Sequence, residues 1–196
     1  MSISASLRST LLILGAALLV QACATTGTAD APAAPADDPI HLHALVRQTA
    51  PAPDWPALRQ AMNEATRSTP GITIGTADAQ GFRIEIPVSD GFTSGSSAIR
   101  PPLAAALDAI APLLAAEPGV AVKVVGHTDS QGSEMVNLRL SIERAEAVAA
   151  HLAERGIPLD RLNADGRGEA DPLTSNATEE GRARNRRVEL LLREMH

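Results

Sequence analysis

The spacing of hydrophobic positions changes repeatedly along this chain, and the changes divide it into elements. Val120, Val122 and Val124 alternate with Ala121, Lys123 and Val125, the period-two pattern of a strand, and Gly126 ends the run. A polar turn follows, His127 to Ser133. From Glu134 the period becomes helical. Leu138, Ser141, Ala145, Val148 and Leu152 lie three or four apart, and Gly156, just past Arg155, supplies a C-terminal cap. Upstream, Ile72 and Ile74, the turn Asp78 to Gly81, and then Phe82, Ile84 and Ile86 predict two strands with a short connection. Phe92 to Ile99 is a Gly- and Ser-rich loop. Pro101 to Glu117 predicts a helix entered through two prolines, with Leu103, Leu107, Ile110 and Leu114 on one stripe and Pro112 bending it near Asp108. Leu162 to Gly166 predicts a short strand, the loop from 165 to 180 leaves room for a turn of helix, and Arg187 to Leu192 predicts a last strand. Alternating strands and helices predict an α/β fold, a two-layer sandwich with helices on one face of a mixed sheet.

The first third of the chain has a different texture. Residues 1–22 have the form of an export signal: Arg8 supplies a positive region, Leu11 to Val20 an apolar core too short to span a membrane, and small Ala22 precedes Cys23. Residues 23–69 are rich in Ala, Pro and Thr, a linker composition. In polyproline II form the thirty residues from Ala24 to Pro53 reach about 90 Å. Within the linker, Trp55, Leu58, Met62 and Ala65 give a short helical pattern over residues 55–66, which fits either a helix packed on the domain or a partner-binding segment. His41 and His43 flank Leu42 with no further ligand nearby, and are assigned to a local extended patch rather than a metal pair. The folded domain is predicted over residues 70–196.

Composition narrows the function. A net charge of −6 argues against a general polyanion binder, and two Phe, one Trp and no Tyr provide no stacking platform for single-stranded nucleic acid. A single cysteine excludes an internal disulfide, so its position at the end of the leader carries the information.

The candidate chemistry centres on Asp129, in the turn after the central strand, and Arg144, on the helix that follows. Arg144 has Leu140 and Val148 as its i−4 and i+4 neighbours and so lies on an apolar stripe rather than a solvated face. Long basic side chains do lie along apolar surface with their heads in water. The sharper reading turns the planar guanidinium toward a carboxylate near the helix start, where Asp129 also sits.

These residues resemble a family. Asn137, Leu140, Ser141, Arg144, Ala145, Val148 and Leu152 fall on the pattern N-x2-L-S-x2-R-A-x2-V-x3-L of OmpA-like peptidoglycan-binding domains, with GHTD at Gly126 to Asp129 in the family's place. The resemblance extends through Phe92 to Pro101, Gly166 to Glu169 and GRARNRRVEL at Gly181 to Leu190, and covers residues 71–193. It implies the OmpA C-terminal-like sandwich and a site for meso-diaminopimelate, whose side chain ends in an ammonium and a carboxylate on one carbon. The implied roles are Asp129 for the ammonium, Arg144 for the carboxylate, Thr128 and Asn137 as hydrogen-bonding rim, Leu140 as apolar wall, and Arg186 for a second carboxylate of the stem peptide. A solvated basic stripe accounts for at least two of Arg182, Arg184, Arg186 and Arg187. Gly95 stands where several relatives carry Asn or Asp, so no side-chain contact is expected there.

Val20-Gln21-Ala22-Cys23 resembles the lipobox of bacterial lipoproteins, which implies cleavage before Cys23, acylation of that cysteine and anchoring in the outer membrane, with the domain facing the periplasm. Ala24 after the cysteine fits outer-membrane sorting. The expected protein is a wall-binding lipoprotein similar to the Pal type, with peptidoglycan as partner and no cofactor, metal or catalytic residue. An adaptor, in which the segment before the domain recruits a Tol-type or secretion-system partner, is the alternative. A metal-dependent hydrolase using His127 and Asp129 is set aside, because a zinc site usually needs three protein ligands.

Overall fold

The structure is a computed structural model and describes residues 52–195. The leader, Cys23, most of the linker and the His41/His43 pair lie outside the described residues. The elements run α1 (Trp55–Thr66), β1 (Thr73–Ile74), β2 (Gly81–Pro87), the single turn α2 (Val88–Gly91), α3 (Pro101–Ala116), β3 (Val120–Gly126), α4 (Glu134–Glu154), β4 (Leu162–Gly166), α5 (Glu179–Asn185) and β5 (Arg187–Glu194). The sheet order is β1-β2-β5-β3-β4, with β3 and β4 parallel and every other pair antiparallel. This is the mixed sheet of the expected α/β sandwich.

The register stacks the apolar positions of three strands. Ile84 lies opposite Leu190 and Leu190 opposite Val124, while Phe82, Leu192 and Val122 form the next row. All six are at most 2% exposed, and Leu107, Ile110, Leu114, Val148 and Leu152 of α3 and α4 join them in one core. Burial of this kind contributes about 25 cal/mol per Å² of apolar surface.

The domain starts earlier than residue 70. Trp55, Leu58 and Met62 of α1 belong to the same core, and the Trp55 and Phe82 rings meet edge to face with centroids 6.1 Å apart. Asp54 caps α1 by accepting a hydrogen bond from the Ala57 amide at 3.0 Å. The correction has a simple cause: Ala, Gln and Asn on the outer side of the helix dilute its apolar stripe to the composition of a linker.

Two glycines set how closely α4 approaches the sheet. A Cβ at Gly126 would lie 2.0 Å from the Ser141 carbonyl oxygen, and one at Gly166 would lie 2.5 Å from Ser141 Oγ. The helix backbone therefore rests directly on the ends of β3 and β4. The same docking fixes the helix rotation: Asn137, Ser141, Arg144, Ala145, Val148 and Leu152 are buried, and Leu138, expected on the inner stripe, is 40% exposed.

α3 continues through Pro112 to Ala116. Its C-terminus is closed by the buried Arg161, which donates from Nη2 to the carbonyls of Leu114 (2.7 Å) and Glu117 (2.8 Å) and from Nε to that of Val120 (2.7 Å).

Candidate functional site

The site lies where β2, β3 and β5 have their Pro87, Gly126 and Arg187 ends. A cavity of about 560 Å³ opens there, between the loop after α2, the turn after β3, the inner side of α4 and the end of α5. Asp129, Arg144 and Arg186 all line it.

Arg144 is 3% exposed on α4. Its Nε donates to the Ser96 carbonyl at 3.0 Å, and its guanidinium carbon lies 5.6 Å from the centre of the Phe92 ring. Among the described residues its terminal nitrogens have no protein acceptor. Burial lowers its pKa from the usual arginine value, Arg186 adds to the effect, and Asp129 opposes it; an arginine so placed stays charged. The helix thus presents a nearly buried cation with donors to spare.

Asp129 is held at the other wall. Its Oδ1 accepts from the Gln131 amide at 3.0 Å, and its Oδ2 accepts from Arg186 Nη1 at 2.6 Å. Arg186 also donates from Nη2 to Glu179 Oε1 at 2.7 Å. The hydrogen bond to Asp129 is the main reason the Arg186 pKa is raised, and Arg186, followed by Arg182, lowers that of Glu179. Asp129 is therefore an engaged carboxylate, not a free one.

The remaining expected residues stand beside the cavity rather than on it. Thr128 is 5% exposed; its amide donates to the Gly168 carbonyl at 2.8 Å, and its hydroxyl has no partner among the described residues. The Asn137 side-chain amide donates to the carbonyls of Asp129 (3.3 Å) and Gln131 (3.1 Å) and to Glu169 (2.9 Å). It pins the turn that carries Asp129. Leu140 is half-buried and does not line the cavity.

Of the four arginines near the last strand, only Arg184 is exposed. Arg182 bonds Glu179 and the Asn176 carbonyl. Arg187 is buried on the opposite sheet face from the core, 2.7 Å from Glu189. Arg186 is the C-terminal cap of α5 and Arg187 the first residue of β5, and Asn185 fixes the segment by bonding Thr174 and Asn176.

The resemblance took in Phe92 to Pro101 without singling out Phe92 or Arg100, and sequence reasoning missed Glu179; Phe92, Arg100 and Glu179 all line the cavity. Gly95 lines it too, at φ +65°, with nothing within 4 Å of where a Cβ would stand. His127 takes no part: it is 3% exposed, faces Glu189 at 3.9 Å, and has no hydrogen-bond partner for either ring nitrogen among the described residues. Burial, with Arg187 close by, pushes its pKa down to about 4 against the pull of Glu189 and Asp171. Among the described residues no three His, Cys, Asp or Glu side chains gather into a metal-binding group.

Residues 91–186 match the sequence profile of the OmpA family, a span that begins at the cavity's loop and ends on Arg186. The cell wall anchor of the T6SS from Pseudomonas aeruginosa has the same fold with a TM-score of 0.61 and 30% identity, over 74% of this chain and 99% of that one. The chain belongs to the OmpA family. Its OmpA-family domain is also 38% identical over 122 residues to the probable lipoprotein YiaD of Escherichia coli, covering 62% of this chain and 55% of the relative. With the peptidoglycan-binding protein ArfA of Mycobacterium tuberculosis it shares 45% identity over 86 residues, 44% of this chain and 26% of the relative. The chain thus spans about half, or less, of the length of these curated relatives.

Proposed function

We propose that this protein is a lipoprotein of the outer membrane, acylated at Cys23, whose OmpA-family domain binds the diaminopimelate end of the peptidoglycan stem peptide and so ties the membrane to the wall. The observation that carries this reading is the convergence of Arg144 and Asp129 on one cavity, with Arg144's terminal donors unoccupied among the described residues. A guanidinium with two donors in a plane suits a carboxylate, and Asp129 beside it suits the ammonium on the same carbon. Thr128, Asn137 and Leu140 then act on the ligand through the turn and helix they hold, and Arg186 yields Asp129 to the ligand while keeping Glu179. Nothing in this reading asks for bond-breaking chemistry. The names of two relatives support it: one is a peptidoglycan-binding protein and another a probable lipoprotein.

The test is co-sedimentation of the soluble chain from Ala24 onward with purified sacculi. Retention on diaminopimelate-type and not on lysine-type sacculi, lost in both Asp129→Ala and Arg144→Ala, is the expected result. Equal binding by the variants would sink the site assignment.

A second reading, an adaptor for an envelope machine, is favoured by the likeness to a secretion-system wall anchor over nearly all of that protein's length. Deleting residues 27–53, which spares α1 and its core contacts, separates reach from recruitment: a loss of partner capture with wall binding intact supports the adaptor.

A further inference from the structure

The charges around the cavity do not balance for a simple zwitterion. Its lining holds three arginines (Arg100, Arg144, Arg186) and two acids (Asp129, Glu179), a difference of +1. Arg186 is shared by both acids. Arg144 and Arg100 are each held by one backbone carbonyl only, that of Ser96 at 3.0 Å and that of Ser89 at 2.9 Å. Among the described residues neither has a carboxylate within 4 Å.

The set divides into a triad of net charge −1, Asp129, Arg186 and Glu179, which accepts a cation, and two separate guanidiniums, each of which accepts an anion. A ligand matching all three carries one ammonium and two carboxylates. The diaminopimelate end supplies the ammonium and one carboxylate. We propose that Arg100 is a specificity-determining residue that binds a second carboxylate of the stem peptide, so that the protein discriminates stems in which that carboxylate is free from stems in which it is masked as an amide. This rests on the peptidoglycan reading of the site and names the form of ligand it takes. Two sources of that carboxylate exist in a stem tetrapeptide: the α-carboxyl of the D-glutamyl residue and the terminal D-alanine.

Arg100 suits the role by position. It is the residue before α3, its amide donates to the Gly91 carbonyl at 2.9 Å, and Phe92 and Ile99 pair across the base of the loop. The side chain therefore leaves a fixed point on the cavity's edge. It makes no capping bond to α3, so its replacement leaves the helix start intact.

The experiment is calorimetric titration of the soluble chain from Ala24 onward with L-alanyl-γ-D-glutamyl-meso-diaminopimelyl-D-alanine and two amides of it, one at the glutamyl α-carboxyl and one at the D-alanine terminus. Wild type is expected to bind one of the two amides about tenfold more weakly than the parent, and the amide that weakens identifies the source. Arg100→Gln should bind the parent at that weaker level and no longer distinguish it from that amide, while Arg100→Lys, keeping the charge, retains part of the discrimination. Unchanged parent affinity in Arg100→Gln, an equal loss for all three peptides, or no response of wild type to either amide would each overturn the proposal. If wild type binds none of the three, the peptidoglycan reading falls, and this inference with it; binding of all three with no amide effect removes the Arg100 assignment alone.

Discussion

Arg186 donates to Asp129 at 2.6 Å, so the carboxylate proposed to receive a ligand's ammonium is already paired with a cation from the far end of the chain. The pair is partly buried, with side-chain exposures of 28% and 9%. On the proposed function, ligand entry is an exchange. Arg186 has a second acceptor in Glu179 and can release Asp129 without being stranded.

The exchange predicts a measurable coupling. In a double-mutant cycle with Asp129→Asn and Arg186→Gln, urea denaturation should give an interaction energy of about 1 kcal/mol in the unliganded protein. Excess ligand should reduce it. A coupling of zero without ligand would mean that the contact contributes nothing to the resting state.

Arg144→Lys should fail to restore sacculus binding. A lysine keeps the charge but loses the planar fork and the Nε bond to Ser96 that aims it, and a loss of at least tenfold in affinity is expected. Recovery of wild-type binding by lysine would show that charge alone suffices.

Gly126→Ala and Gly95→Asn should part company. The alanine Cβ meets the Ser141 backbone at 2.0 Å and forces α4 off the sheet, which costs about 3 kcal/mol in denaturant unfolding. Asparagine at Gly95 enters open space at a φ it tolerates, and stability should hold within about 0.5 kcal/mol.

Arg161→Ala should destabilise by about 3 kcal/mol, because three buried carbonyls at the end of α3 and the start of β3 lose a charged donor together. Sacculus binding by the fraction still folded should be unchanged, since Arg161 is remote from the cavity.

His127 gives the protein an acid sensitivity. Its folded-state pKa of about 4 lies below the ordinary histidine value of 6.5, so between those values the unfolded chain binds the proton and the folded chain does not. Stability should fall as pH drops from 6.5 toward 4, with a slope of up to about 1.4 kcal/mol per pH unit from this residue, and should show no contribution from it above 6.5. His127→Gln should flatten that limb of the stability profile. An unchanged slope would assign the acid loss to carboxylates.

Much of the fold was legible because the pattern that reports it is local. Alternating valines in β3 and the α4 stripe are read from neighbours in sequence, and a polar Arg144 on that stripe stands out for the same reason. What depends on a distant partner was not legible. Leu138 continues the apolar spacing, but Gly126 and Gly166 fix the rotation of α4 and leave it in solvent. Arg161 looks like any surface arginine until the carbonyls of Leu114, Glu117 and Val120 are brought to it. Phe92 and Arg100 sit in a loop whose composition carried no periodic signal. The Asp129–Arg186 contact joins residues 57 apart in sequence, and no spacing rule anticipates it.

The contact of Trp55 with Phe82 places the entry of the chain at the Gly81 end of β2, whereas Val88 at the other end borders the cavity. On the proposed function, a pull between whatever precedes Trp55 and a ligand held by Arg144 runs roughly along the strands. Loaded that way, the hydrogen bonds joining β2, β5 and β3 are sheared together instead of being unzipped one by one, and the first part to feel the tension is α1, whose grip on the core through Trp55, Leu58 and Met62 becomes the fuse of the assembly.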